Sequence, residues 1–286
     1  MPVSVVTDSV ASIPAADAAE LGIDVVSMYI HDGQSNQLEL EMDVADFYRR
    51  IQDMRTLPTS AQPSIDSFVS VFKRAVDCGS EVLGVFVSHK MSGTYDAACM
   101  AAGIVLADRP GARIELLDSG SNSLQEGFGA IAAAKAAKTG ATIDRCLRAA
   151  QETLRKTRYL FTPASLEYLR RGGRIGAASA MVGGLLQIKP ILTVENGETT
   201  QFGKVRTQGK ALAEIARKFT DDVHAYGLRQ VVVHYVGDIE PAERFARQHI
   251  EPFVGRPVRV IAVSPVVGLH VGPAVALVYE TELEWL

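Results

Sequence analysis

Apolar positions along this chain alternate between two rhythms. Short runs rich in β-branched residues, at 3–7, 24–30, 82–87 and 113–117, predict strands. Between them Val44, Phe47, Tyr48 and Ile51 fall at i, i+3, i+4 and i+7 behind Asp43. Ile65, Phe68, Val69, Phe72 and Val76 repeat that spacing before Gly79, so two amphipathic helices are predicted. The Ala-rich run 131–137 and the segment 143–156 read as a helical pair joined near Gly140. Strands alternating with helices imply a mostly parallel sheet covered by helices.

The second half follows a different order. A strand at 158–162, a helix at 166–171, the apolar run 177–186 and a strand at 188–195 lead to Asn196-Gly197, a strong hairpin signal into a strand at 199–205. A helix at 209–219, a strand at 230–235, a helix at 241–250 and strands at 258–263 and 274–280 follow. The mixture of hairpins and crossovers predicts a mixed sheet. The expected fold class is α/β with two lobes, 1–156 and 157–286, and a small-molecule site in the cleft between them.

Polar clusters fall where the chain leaves predicted strands, the place where open α/β sheets present ligand sites. They are Thr7-Asp8-Ser9, the run Ser88-His89-Lys90-Met91-Ser92-Gly93-Thr94, and Asp118-Ser119-Gly120-Ser121-Asn122. Ser92 and Gly93 precede an Ala-rich helical run, so unpaired N–H groups and the helix dipole favour an anion there, a carboxylate or a phosphate. The run has neither the P-loop nor the dinucleotide glycine pattern, so the anion need not belong to a nucleotide. Asp8 and Asp118 read equally well as caps and as site residues. Pro58 and Pro63 make Thr59-Ser60-Ala61-Gln62 an extended loop. His270 is read in a loop between Gly268 and Gly272 ahead of the last strand, as a hydrogen-bond donor or, if cationic, as a partner for a carboxylate. Met181, Leu185, Leu186, Ile188 and Ile191 fit ordinary core and the wall of a lipid tunnel alike.

Composition narrows the function classes. The 286 residues carry 29 basic and 33 acidic side chains, a formal charge of −4, which offers no general attraction to nucleic acid or an anionic membrane. Three cysteines, Cys78, Cys99 and Cys146, in no C-x-x-C pattern indicate neither a disulfide framework nor a zinc site, and no metal or cofactor is expected. No stretch approaches ~20 uninterrupted apolar residues and the first residues are strand-like, so the expected location is the cytoplasm, without stable membrane insertion.

Taken in order, Thr7-Asp8-Ser9, the Ser60-Ala61-Gln62-Pro63 loop, Ser92-Gly93-Thr94-Tyr95, Asp118-Ser119, residues 166–176, Lys189-Pro190-Ile191-Leu192, Lys204-Val205-Arg206-Thr207 and His270-Val271-Gly272-Pro273 resemble the DegV family of bacterial fatty-acid-binding proteins. The resemblance implies a protein that buries one long-chain fatty acid such as palmitate, its carboxylate held by hydroxyls and a histidine at the inter-lobe cleft. On that reading Ser60, Ser92, Gly93 and His270 bind the carboxylate. The family's loop begins Thr-Ser where this chain has Ser60-Ala61, so one hydroxyl is missing. In kinase-linked members the bound acid is presented to a fatty acid kinase, and the docking arginine corresponds to Arg206. An enzyme alternative, a Ser/His acyl hydrolase or transferase using Ser92 and His270, lacks a G-x-S-x-G elbow and a distinctive third member. A phosphotransferase lacks a nucleotide loop.

Overall fold

The computed structural model describes residues 1–33, 35–54, 57–181 and 188–285. Leu185 and Leu186, two of the residues read as core or tunnel wall, lie outside them. Contacts group the chain into two compact units, Met1–Glu41 with Ser60–Arg155 and Met42–Thr59 with Lys156–Leu286.

The first unit is built on β1 (Val3–Asp8), α1 (Ala15–Leu21), β2 (Ile23–Val26), β3 (Tyr29–His31) and β4 (Asn36–Leu38). After α2 (Val44–Asp53), which belongs to the second unit, the chain continues through β5 (Thr59–Ala61), α3 (Ile65–Asp77), β6 (Glu81–Phe86), α4 (Thr94–Asp108), β7 (Ile114–Asp118), α5 (Ser123–Lys138) and α6 (Ile143–Lys156). Four strands form a parallel sheet in the order β2-β1-β6-β7, as the alternating pattern predicts. A second small sheet has the order β4-β3-β5. Phe68 and Phe72 of α3, Phe86 of β6 and Ala97, Ala98 and Ala101 of α4 are fully or almost fully buried and form one core, with Phe68 edge-on to Phe86 at 5.3 Å.

Two expected elements differ in extent. The strand read at 24–30 is broken into β2 and β3, because Met28 donates its N–H to the Ser9 hydroxyl and its carbonyl accepts the Glu39 N–H instead of continuing a ladder. Helix α5 starts at Ser123, well before 131. Gly127 and Gly129 weaken its sequence signal, yet they lie where a Cβ would press on the Ala11 carbonyl and on Leu154, so packing sets the start.

The second unit contains β8 (Thr157–Pro163), α7 (Glu167–Arg171), β9 (Lys189–Glu195), β10 (Glu198–Val205), α8 (Gln208–Tyr226), β11 (Gln230–Val236), α9 (Glu240–Phe245), α10 (Glu251–Val254), β12 (Arg259–Ala262), α11 (Pro265–Val271) and β13 (Ala274–Glu280). Its sheet has the order β10-β9-β8-β13-β11-β12, antiparallel except for the β11–β12 pair, and is therefore the expected mixed sheet. The hairpin closes at Asn196 and Gly197, both at positive φ, with Glu195 opposite Glu198. The helix read at 241–250 is instead α9, a π-helical turn over 246–250 and α10. Leu160, Ile191, Ile215, Phe219, Phe245 and Leu277 centre the core.

The expected boundary cuts the chain once, at 156/157, whereas the contacts also assign residues 42–59 to the second unit. The physical reason is α2. Its Tyr48 is buried and donates its hydroxyl to the Val263 and Ser264 carbonyls at 2.8 and 3.2 Å. The cap read at Asp43 is present, its carboxylate accepting the Asp46 N–H at 2.9 Å.

Candidate functional site

In the parallel sheet, β1 leads by α1 to β2 on one side while β6 leads by α4 to β7 on the other. The chain thus departs in opposite directions from the two central strands, and the crevice beyond their carboxyl ends is a topological switch point. Asp8-Ser9 leave β1 there, and Ser88 through Gly93 leave β6.

The β6–α4 turn is held by its own backbone. The Ser88 carbonyl accepts the N–H groups of Met91 and Ser92 at 2.9 and 3.1 Å, and Ser88 donates its N–H to the Ser121 carbonyl at 2.8 Å. Gly93 caps α4 without a side-chain hydrogen bond. The half-buried Ser92 hydroxyl accepts the Thr94 N–H at 3.3 Å and pairs with the Thr94 hydroxyl at 2.8 Å. The Thr94 hydroxyl gives its proton to the Met28 sulfur at 3.4 Å, so Ser92 is the donor in that pair, and an external acceptor at the turn would take the Ser92 proton in place of Thr94.

Ser60 is half-buried on β5, and Gln62, two residues on, lies so close to Gly93 that a Cβ there would strike the Gln62 amide. The structure therefore brings the Ser60 loop against the Ser92–Gly93 turn within the first unit. Ala61 is exposed.

His270 and Arg206 lie in the second unit. His270 is in the last turn of α11, a correction to its reading as a loop residue. Ser264 caps that helix by accepting the Val267 N–H at 3.4 Å, with Pro265 in its first turn, so Gly268 falls inside it. Two close approaches fix α11. A Cβ on Gly268 would strike the Tyr48 ring, and one on Gly172, just after α7, would strike the His270 imidazole. Burial, and then the Arg174 charge, pushes His270 down to about 4. At neutral pH the ring without a ligand is therefore uncharged, with one N–H donor and one acceptor. Arg206 is exposed in the two-residue link between β10 and α8 and makes no ion pair among the described residues.

The two aspartates read as caps or site residues resolve differently. Asp8 is fully buried, accepting the Val10 N–H at 2.9 Å and the Val87 N–H at 3.0 Å. Asp118 accepts the Gly120 N–H at 2.9 Å and pairs with His89 Nδ1. Sequence reasoning missed three residues. Tyr48 carries a helical-core signal that says nothing of its partner. Glu39 and Glu126 are acids buried to 3% and 0% exposure, which no local pattern announces. Among the described residues there is no group of three or more His, Cys, Asp or Glu able to hold a metal ion, and no helix long and apolar enough to cross a membrane.

A family profile described as "Uncharacterised protein, DegV family" matches residues 2–282. A DegV domain-containing protein of Clostridium acetobutylicum is 38% identical over 283 residues, covering 99% of each chain. Among solved structures, DegV, a fatty acid binding protein from Bacillus subtilis, is 27% identical with a TM-score of 0.87, covering 98% of this chain and 99% of its own. A structure described as fatty acid binding of a DegV family protein from Thermus thermophilus is 28% identical with a TM-score of 0.85, covering 98% of this chain and 100% of its own.

Proposed function

The chain belongs to the DegV family, and on that premise we propose that it binds one long-chain fatty acid, such as palmitate, without catalysing a reaction on it. The observation that carries the reading is the approach of Gln62 to Gly93, which brings the loop carrying Ser60 against the turn carrying Ser92, at the N-terminus of a 15-residue helix. Hydroxyls and N–H groups there suit a carboxylate. The neutral His270 adds one more donor on this reading. Hydrogen bonds to a charged acceptor are worth about 1.5–3 kcal/mol each, enough to offset much of the head group's desolvation. The tail supplies the affinity. At roughly 0.8 kcal/mol per buried CH₂, a long acyl chain contributes on the order of 10 kcal/mol before association costs.

The non-catalytic part of the reading is supported by the partner of Ser92, which is Thr94 and not an imidazole. Exposed Arg206 is assigned to docking a fatty acid kinase that phosphorylates the bound acid. The free cysteines suit a reducing compartment, and the reading assigns the protein to the cytoplasm. The deciding experiment is titration of palmitate and of hexadecanol into wild type, Ser92→Ala and His270→Ala. The reading requires the acid to bind more tightly than the alcohol and both variants to lose acid affinity. Equal binding of acid and alcohol removes the carboxylate site.

A further inference from the structure

Beneath the turns that follow β1 and β6, Asp8 and Glu126 are both fully buried. Asp8 spends an oxygen on each of two backbone N–H groups, Val10 and Val87. Glu126 accepts the Thr7 hydroxyl at 3.3 Å on Oε1, while Oε2 is buried with no hydrogen-bond partner other than the facing Asp8 carboxyl. The remaining charges nearby are acidic as well. They are Glu39, paired with Ser9, and Asp118, paired with His89. Among the described residues no cation is hydrogen-bonded or ion-paired to either buried carboxyl. Two adjacent carboxylates without a counter-ion are not tenable in such a site, so a proton must reside between them.

We propose that Asp8 and Glu126 form a proton-sharing carboxyl pair that holds the turns after β1 and β6 in register, and that loss of its protons loosens the face carrying Ser92. Glu126, protonated on Oε2, donates to Asp8, which keeps its two backbone N–H bonds. Asp8 grips Val87, the residue before the Ser88 turn. From the neighbouring Ser9, a second path runs through Met28, which gives its N–H to Ser9 and accepts the Thr94 hydroxyl on sulfur at 3.4 Å, to Ser92. Once both carboxyls are charged they repel, and β1 and α5 part where these paths begin.

Desolvation, with Glu39 adding to it, pushes Asp8 up to about 7, and desolvation together with the Asp8 charge pushes Glu126 well above the usual carboxylate range. The folded protein thus holds protons that the unfolded chain has already released, and stability is lost as pH rises through these values. His234 and His270, both pushed down to about 4, act in the opposite sense until about one pH unit above the ordinary histidine value near 6.5, and do so equally in wild type and in a Glu126 variant. The difference between wild type and such a variant from pH 6.5 to 8 therefore isolates the carboxyl pair.

The test is urea unfolding of wild type and Glu126→Gln across that window. The ratio of the wild-type unfolding constant to that of the variant, whose amide donates permanently to Asp8, should rise by up to about tenfold per pH unit for one linked proton. Parallel slopes for the two proteins overturn the proposal. If the variant does not fold, infrared difference spectra of wild type between pH 6.5 and 8 decide instead. A protonated-carboxyl band that weakens across the window supports the pair, and its absence at pH 6.5 overturns it. Palmitate affinity, measured in parallel, should fall with pH in wild type and stay level in the variant. That arm alone rests on the fatty-acid reading, so a pH-linked unfolding curve without palmitate binding rejects that reading and leaves the pair standing.

Discussion

Around Ser92 the defining hydrogen bonds reach residues two and four positions away, Thr94 and Ser88. Around His270 they do not. The ring rests on Gly172, and its helix is gripped by Tyr48, a residue 215 positions before the Val263 carbonyl to which it donates. One setting is a turn that makes itself and keeps its hydroxyl half-exposed; the other is a packed junction that burial has stripped of charge. A head-group donor on a self-made turn can be removed with little cost to the fold, whereas one set by packing cannot be separated from the elements that hold it.

The largest expected effect tests the packed side of that contrast. Tyr48→Ala removes a buried ring and the hydroxyl that satisfies two carbonyls, and should cost about 3–5 kcal/mol in urea unfolding. Gly172→Val comes next. A branched side chain against the imidazole should cost about 1–3 kcal/mol and displace His270, lowering palmitate affinity along with stability. If Gly172→Val left both quantities at wild-type values, the packed junction would not be what orients His270.

The self-made side predicts a split. Ser92→Ala should weaken palmitate binding about 10- to 150-fold, the equivalent of about 1.5–3 kcal/mol, with a stability loss of only about 1 kcal/mol or less. Calorimetric titration beside chemical unfolding measures the two numbers, and equal losses in both would erase the distinction between the settings.

This contrast also explains what could be read beforehand. The alternation of strands and helices behind the parallel sheet, the Asn196-Gly197 hairpin and the caps at Asp43 and Ser92-Gly93 were legible because each is signalled by residues within a few positions of one another. The transfer of residues 42–59 to the second unit, the helical setting of His270 and the burial of Glu126 were not, because each depends on a partner far along the chain. Tyr48 shows the limit most directly. Its period-3.6 spacing announced a buried position, and nothing local announced that it would be buried against the helix of His270.

Neutral His270 carries a further consequence. Its value of about 4 lies well below the pH of ordinary binding assays, so His270→Ala should weaken palmitate binding by the same factor at pH 6 and at pH 8. A penalty that faded as pH rose would show that the imidazole is charged in the complex. The sign is fixed, since a cationic ring loses its advantage only on deprotonation.

The smallest expected effect on the protein itself belongs to Arg206, which lies outside both settings. Exposed and without an ion pair among the described residues, it has no packing to lose, and Arg206→Ala should change stability by no more than about 0.5 kcal/mol. Palmitate content should be unchanged as well. What should change is transfer to a partner, because an exposed arginine in the link between β10 and α8 offers a fixed fork to an acidic or phosphate-bearing surface. In a reconstituted fatty acid kinase assay, the variant should form acyl phosphate more slowly at limiting protein concentration and recover as that concentration rises, the signature of weakened docking. An unchanged rate at every concentration would leave Arg206 a solvated charge, and a loss of bound lipid would move it into the binding machinery.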